Sequence, residues 1–208
     1  MVDKRAMLGG VLVASTLAMT GCGSDTGEVT LEGVRTAATK AGPSPTTCPI
    51  PFDIPAALPG NPAARPGEVE VQVSKSTTPA PDPIAAQRDQ GMAAIDAAAG
   101  VSINCDYEVD GKTIGTWLVA TPTPGSTNIM GPSIVQAAKM KLTQLEDFLK
   151  NLPDPGEVKL TPGGEIAIAR VHVKGDGDAT LMVNPDGTVS GEALAKTTEK
   201  LLSQIHIN

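Results

Sequence analysis

Alternation with a period of two marks the first strand of the chain. Val69, Val71 and Val73 alternate with Glu68, Glu70 and Gln72, the pattern of a strand with one face in the core and one in water. Two longer runs follow, Val101–Val109 and Lys112–Thr121, separated by Asp110-Gly111. That dipeptide is a strong hairpin signal, because a type I′ turn needs positive φ at both central positions. A two-residue turn pairs 109 with 112, so partners across the hairpin sum to 221. One face then carries Val101, Ile103, Cys105, Tyr107 and Val109 against Ile114, Thr116, Leu118 and Ala120, and we read it as the core face. The other carries Ser102, Asn104, Asp106 and Glu108 against Thr113, Gly115, Trp117 and Val119.

Strands are also predicted over 157–160, 165–173 and 178–184. In the middle one the inward phase shifts from Ile166 and Ile168 to Ala169, Val171 and Val173, which predicts a β-bulge near Ala169. Helical periodicity gives three further elements. A helix over 83–99 has Pro83 in its first turn and Ile84, Met92, Ile95 and Ala99 on one stripe. A helix over 132–152 places Val135, Ala138, Leu142, Leu145, Leu149 and Leu152 on another, and Pro153 and Pro155 stop it. A C-terminal helix over 190–205 turns Leu194, Leu201, Leu202 and Ile205 inward, with Ser190 as its N-cap and a frayed His206 beyond it. The fold class expected is α+β: an antiparallel sheet of about six strands with three amphipathic helices packed on it and one disulfide.

The N-terminus changes the picture from fold to address. Lys4 and Arg5 precede an uncharged apolar run from Ala6 to Met19, about 14 residues long, which suits a signal-peptide core and is short of the ~20 that span a bilayer. The run ends in Met19-Thr20-Gly21-Cys22, which resembles the bacterial lipobox. In that motif the cysteine receives a diacylglyceryl group and becomes the mature N-terminus; a plain secretory signal ending at a chance cysteine is the other reading. The expected organisation is a lipoprotein signal peptide over 1–21, a flexible Gly/Ser/Thr/Pro-rich tether over 22–47, and a single α+β domain over 48–208. The stretch 29–38 has helical character that nothing in the sequence forces. The proline-rich stretch 49–67 is expected to wrap the domain as ordered loop.

Three cysteines in an exported chain leave one unpaired. With Cys22 lipidated, Cys48 and Cys105 remain to pair in an oxidising compartment. The loop they close, about 58 residues, is worth ~4 kcal/mol in the chain-entropy model.

Composition removes several functions. The net charge of −7 speaks against nucleic acid, which selects Lys/Arg stripes. Four aromatics, Phe52, Tyr107, Trp117 and Phe148, leave no stacking platform for bases or sugars. No Gly-x-Ser-x-Gly elbow and no phosphate loop is present, and Asp176-Gly177-Asp178 lacks the later ligands of a calcium loop. No cofactor, no metal and no catalytic residue is expected. Trp117 is the best pointer to a site, with Asn104 opposite it and Asp106 diagonal. It either floors a binding groove or is covered by the 49–67 segment or a helix. Arg170 and His172 share one side of a strand; they either hold an anionic head group or form a solvated edge.

The lipobox, the acidic Ala/Gly/Pro/Thr-rich composition, Cys48-Pro49, Cys105-Asp106 and the terminal amphipathic helix together resemble actinobacterial envelope lipoproteins of unassigned function. The element order over about 48–208 is similar to the extracytoplasmic sensor domains of mycobacterial serine/threonine kinases and to lipoproteins of the Mog1/PsbP-like α+β fold. The resemblance implies a small open sheet with helices on one face and a cleft. It carries over no catalytic residues.

The function expected is that of a non-catalytic binding module for a small or lipidic envelope ligand, exported and lipid-anchored to the outer face of the cell membrane. An adaptor docking an envelope protein complex is the alternative, and a cryptic hydrolase using His172 the lesser one.

Overall fold

The computed structural model describes residues 29–207. The expected signal peptide and Cys22 lie outside the described residues. The order of elements is α1 (Leu31–Ala41), α2 (Ile54–Ala57), β1 (Ala64–Val73), α3 (Pro83–Gln90), α4 (Ala94–Ala97), β2 (Val101–Val109), β3 (Lys112–Thr121), α5 (Ser126–Ala137), α6 (Leu142–Lys150), β4 (Val158–Leu160), β5 (Ala167–Val171), β6 (Asp178–Asn184) and α7 (Gly191–Leu202). The six strands form one antiparallel sheet in the order β1-β2-β3-β6-β5-β4. It is built from two three-stranded meanders that meet along β3 and β6.

The hairpin register is the one the turn dictates. Val101 pairs with Ala120 and Val109 with Lys112, and Asp110 and Gly111 have φ of 50° and 75°. The face expected to be core is core: Val101, Ile103, Cys105, Ile114 and Leu118 are all buried. Cys48 and Cys105 are joined, with Cα atoms 5.7 Å apart. The bond ties the segment between α1 and α2 to the middle of β2.

The sheet is covered on both faces, which departs from the one-sided arrangement implied by the resemblance. Val34 and Ala38 of α1, Ile54 and Ala57 of α2, and Leu194 and Leu201 of α7 fill the layer over the hairpin's core face. Ile95 of α4, Met130 and Ile134 of α5, and Leu145 and Phe148 of α6 fill the opposite layer. This explains the phase problem in β5. Ile166 and Ile168 face the second layer while Ala167, Ala169 and Val171 face the first, and the β5–β6 register runs without a shift. No bulge near Ala169 is needed. The irregularity lies in β1 instead, between Pro66 and Val69, where proline has no N–H to give the ladder.

The tether expected over 22–47 is structured from Val29 onward. Thr30 caps α1 by accepting from the Gly33 amide at 2.9 Å, and Val34 and Ala38 are fully buried. The Arg35 guanidinium donates to the carbonyls of Ser74 and Ala99, latching the helix to the sheet's end. The stretch 49–67, expected as loop, is ordered with Ile50, Ile54 and Leu58 buried, but it contains α2 and runs into β1 from Ala64.

Two of the expected helices are broken. The stretch 83–99 divides at Gly91, whose φ of 66° is left-handed and ends α3; Ile84 and Met92 point to solvent while Ile95 and Ala99 are buried. The stretch 132–152 begins earlier, at Ser126, holds Pro132 inside α5, and breaks at Lys139, whose φ is 50°. Leu142 therefore starts a new helix and stands 67% exposed. The C-terminus is docked, because Ile205 and Ile207 are buried and the Thr30 amide donates to the Ile207 carbonyl. His206 between them is exposed. No helix among the described residues is long and apolar enough to cross a membrane.

Candidate functional site

The hairpin register sets Trp117 opposite Asn104 on the face away from the main core. The half-buried indole is oriented by its Nε1–H, which donates to Ser102 Oγ at 2.6 Å. A bonded indole nitrogen leaves the ring's apolar surface as what a visitor meets. Glu70 and Gln72 of β1, Ser102 and Asn104 of β2, and Trp117 floor a cavity of about 340 Å³; Ala94, Ile95, Ile129 and Ser133 of α4 and α5 wall it.

A larger cavity shares part of this wall. Ala94 and Ile129 also line a cleft of about 700 Å³ between the α3–α4 segment and the start of α5. Pro83, Ile84, Ala98, Pro124 and Pro132 give that cleft apolar walls, and Asp82, Gln87, Arg88, Thr121, Thr123 and Asn128 add polar groups. Its size lies within the usual range for ligand pockets, roughly 300–1,000 Å³. Both readings of Trp117 meet here: the ring packs against the layer that holds Ile95 of α4 and Met130 and Ile134 of α5, and a cavity remains beside it. The 49–67 segment lies on the opposite face, held there by the disulfide to Cys105.

The start of α5, which forms one wall, is fixed by a carboxylate from the sheet. Asp178 Oδ2 accepts from the amides of Gly125 and Ser126, both at 2.9 Å, and from Ser126 Oγ at 2.8 Å. Its Oδ1 accepts from Arg170 Nη2 at 3.0 Å. Thr180 Oγ1 joins the hydroxyls of Ser126 and Thr127, each at 2.7 Å. Burial on its own would push the Asp178 carboxyl up. The Gly125 amide, the Ser126 hydroxyl and amide and the Arg170 guanidinium outweigh it, and the group sits below the ordinary carboxylate value. Gly125 has no side chain with which to cap α5, so Asp178 supplies the acceptor from a neighbouring strand.

The expected site residues are only partly brought together. Asn104 and Trp117 share the groove. Asp106 lies on the same face one pair further along, opposite Gly115 and outside the groove lining. Burial, and then the Glu68 carboxylate, push its carboxyl up. Arg170 is two strands from Trp117, across β6, and its guanidinium is engaged by Asp178. His172 is exposed and stands against Gly156. The two do not join the groove, because the layer of Met130, Ile134 and Phe148 covers the sheet between.

The remaining lining residues were missed in two ways. Ser102, Glu70 and Gln72 were within reach of strand alternation, since they fall in phase with Asn104. Ala94, Ile129 and Ser133 were not, since they sit on helices whose limits differ from the pattern. Among the described residues no three His, Cys, Asp or Glu side chains are grouped to hold a metal ion. The Ser126 hydroxyl is buried and bonded to Asp178 and Thr180, with no histidine in the network. What the groove offers is apolar surface together with amide, hydroxyl and carboxylate groups in both of its parts. No protein-family model matches the chain, and no curated protein and no solved structure matches it either.

Proposed function

We propose that this chain is an exported, lipid-anchored lipoprotein whose domain acts as a non-catalytic binding module for a small or lipidic ligand of the cell envelope. The observation that carries the reading is the groove itself. It is a pair of cavities that share Ala94 and Ile129 in their lining, the smaller of them holding a single half-buried tryptophan whose orientation is fixed by Ser102. Apolar side chains such as Ile84, Ile129 and Pro132 give it shape, and Ser102 and Asn104 beside Trp117 offer hydrogen bonds to orient a ligand. The Met19–Cys22 motif supplies the anchor, Cys22 being the lipidated residue.

Native mass spectrometry of the domain from Val29 onward, after exposure to an extract of envelope lipids and metabolites, tests the binding. The expected result is a reproducible mass adduct that is lost in Trp117→Ala. A clean apo mass would remove the binding reading and leave the adaptor for an envelope complex.

A further inference from the structure

The described chain begins at the same end of the sheet as the larger cleft. Val29 bridges Val173 beyond the end of β5, and the Lys174 amide donates to the Val29 carbonyl at 2.8 Å. A Cβ on the neighbouring Gly177 would meet the Thr121 carbonyl at 3.4 Å and Leu31 Cβ at 3.7 Å, so the entering chain and the end of β3 are packed together. Thr121, Thr123 and Pro124, which continue from that end, line the cleft. The exit of the N-terminal segment and the mouth of the groove thus share one end of the domain.

Cys22 lies seven residues before Val29. At full extension those residues reach no further than ~25 Å. A domain of this length is about 40 Å across. A cysteine held at a bilayer therefore keeps the groove end near the membrane and cannot present the opposite end to it. At the groove itself, Ile84 is 73% exposed, an apolar rim residue standing in water.

Resting on the anchored binding reading above, we propose that the groove receives a hydrocarbon chain of a phospholipid from the bilayer to which Cys22 holds the domain. The acyl chain lies between Ile84, Ala98, Pro124 and Ile129 and runs toward Trp117. The glycerol and head group stay at the mouth.

Trp117 is the only tryptophan, so it reports on this directly. The full chain, purified with its anchor, is reconstituted in phosphatidylcholine vesicles whose acyl chains carry bromine, a contact quencher of indole. The expected result is that Trp117 loses roughly half of its emission relative to unbrominated vesicles. Ala94→Phe, a larger side chain at a position that lines both cavities, should restore the emission. Ile84→Asp should do so too, and as an exposed position it leaves folding intact. Wild-type protein that sediments with the vesicles but is not quenched overturns the proposal. This includes the case in which the protein's own unbrominated anchor chain fills the groove. Quenching that survives both substitutions overturns it as well, because the indole then meets lipid by another route. A Cys22→Ala variant that still sediments with membranes instead removes the anchor on which both readings stand.

Discussion

Asp178 concentrates more of the local energetics than any other described carboxylate. It is 7% exposed and accepts from two amides, a hydroxyl and a guanidinium. Removing it leaves the first amides of α5 and the Arg170 charge without an acceptor, and Asp178→Ala is expected to cost about 3 kcal/mol. Urea denaturation measures this, and an unchanged midpoint would mean that the network is incidental. The sign of its pH dependence follows from the depressed folded value. The contribution is fully present above the unfolded carboxyl value of 3.8 and is lost as pH falls through the lower folded value. Wild-type stability should therefore drop on the acid side, and Asp178→Asn should flatten that limb.

Among the elements, α1 separates what the sequence displays from what it conceals. Its signals were present: Thr30 as cap, Leu31, Val34 and Ala38 on one stripe, and Gly42 just beyond the end. They were submerged in a Gly/Ser/Thr/Pro-rich neighbourhood that reads as tether, and only tertiary packing shows that Val34 and Ala38 are buried. Val34→Ala is expected to destabilise the domain by about 2 kcal/mol in urea denaturation, whereas a tether residue would change nothing. The hairpin was fully legible, because Asp110-Gly111 fixes its register locally and alternation then assigns every side chain to a face. The broken helices were not. Gly91 and Lys139 take left-handed conformations that interrupt patterns a hydrophobic stripe carries straight through. Half of the groove followed the same division. The strand residues Asn104 and Trp117 were found from register, and the walls from α4 and α5 depend on where those helices stop.

At the scale of the whole molecule, the disulfide and the shared sheet hold the parts as one body. Cys48 and Cys105 join a loop-rich entry segment to a buried strand, a long closure whose loss should cost roughly 4 kcal/mol. Cys48→Ser and Cys105→Ala should be destabilised similarly in urea, and thiol titration of the denatured, unreduced domain from Val29 should find no free thiol. A titratable thiol would refute the bond. The sheet itself is less unitary than its six strands suggest. Each strand in β1-β2-β3 and in β4-β5-β6 pairs with its neighbour in sequence, and the two meanders touch through the seven pairs from Gly115–Asn184 to Thr121–Asp178. The chain crosses between them through α5 and α6, and the break at exposed Lys139 falls in that crossing. Cutting there gives two fragments, 29–139 and 140–207, each with a local hairpin core and one unpaired edge complementary to the other's. Co-expressed, they should reassemble through β3 and β6 into a two-chain domain, so this architecture is a natural split reporter; fragments that never associate would show that the crossing does more than connect.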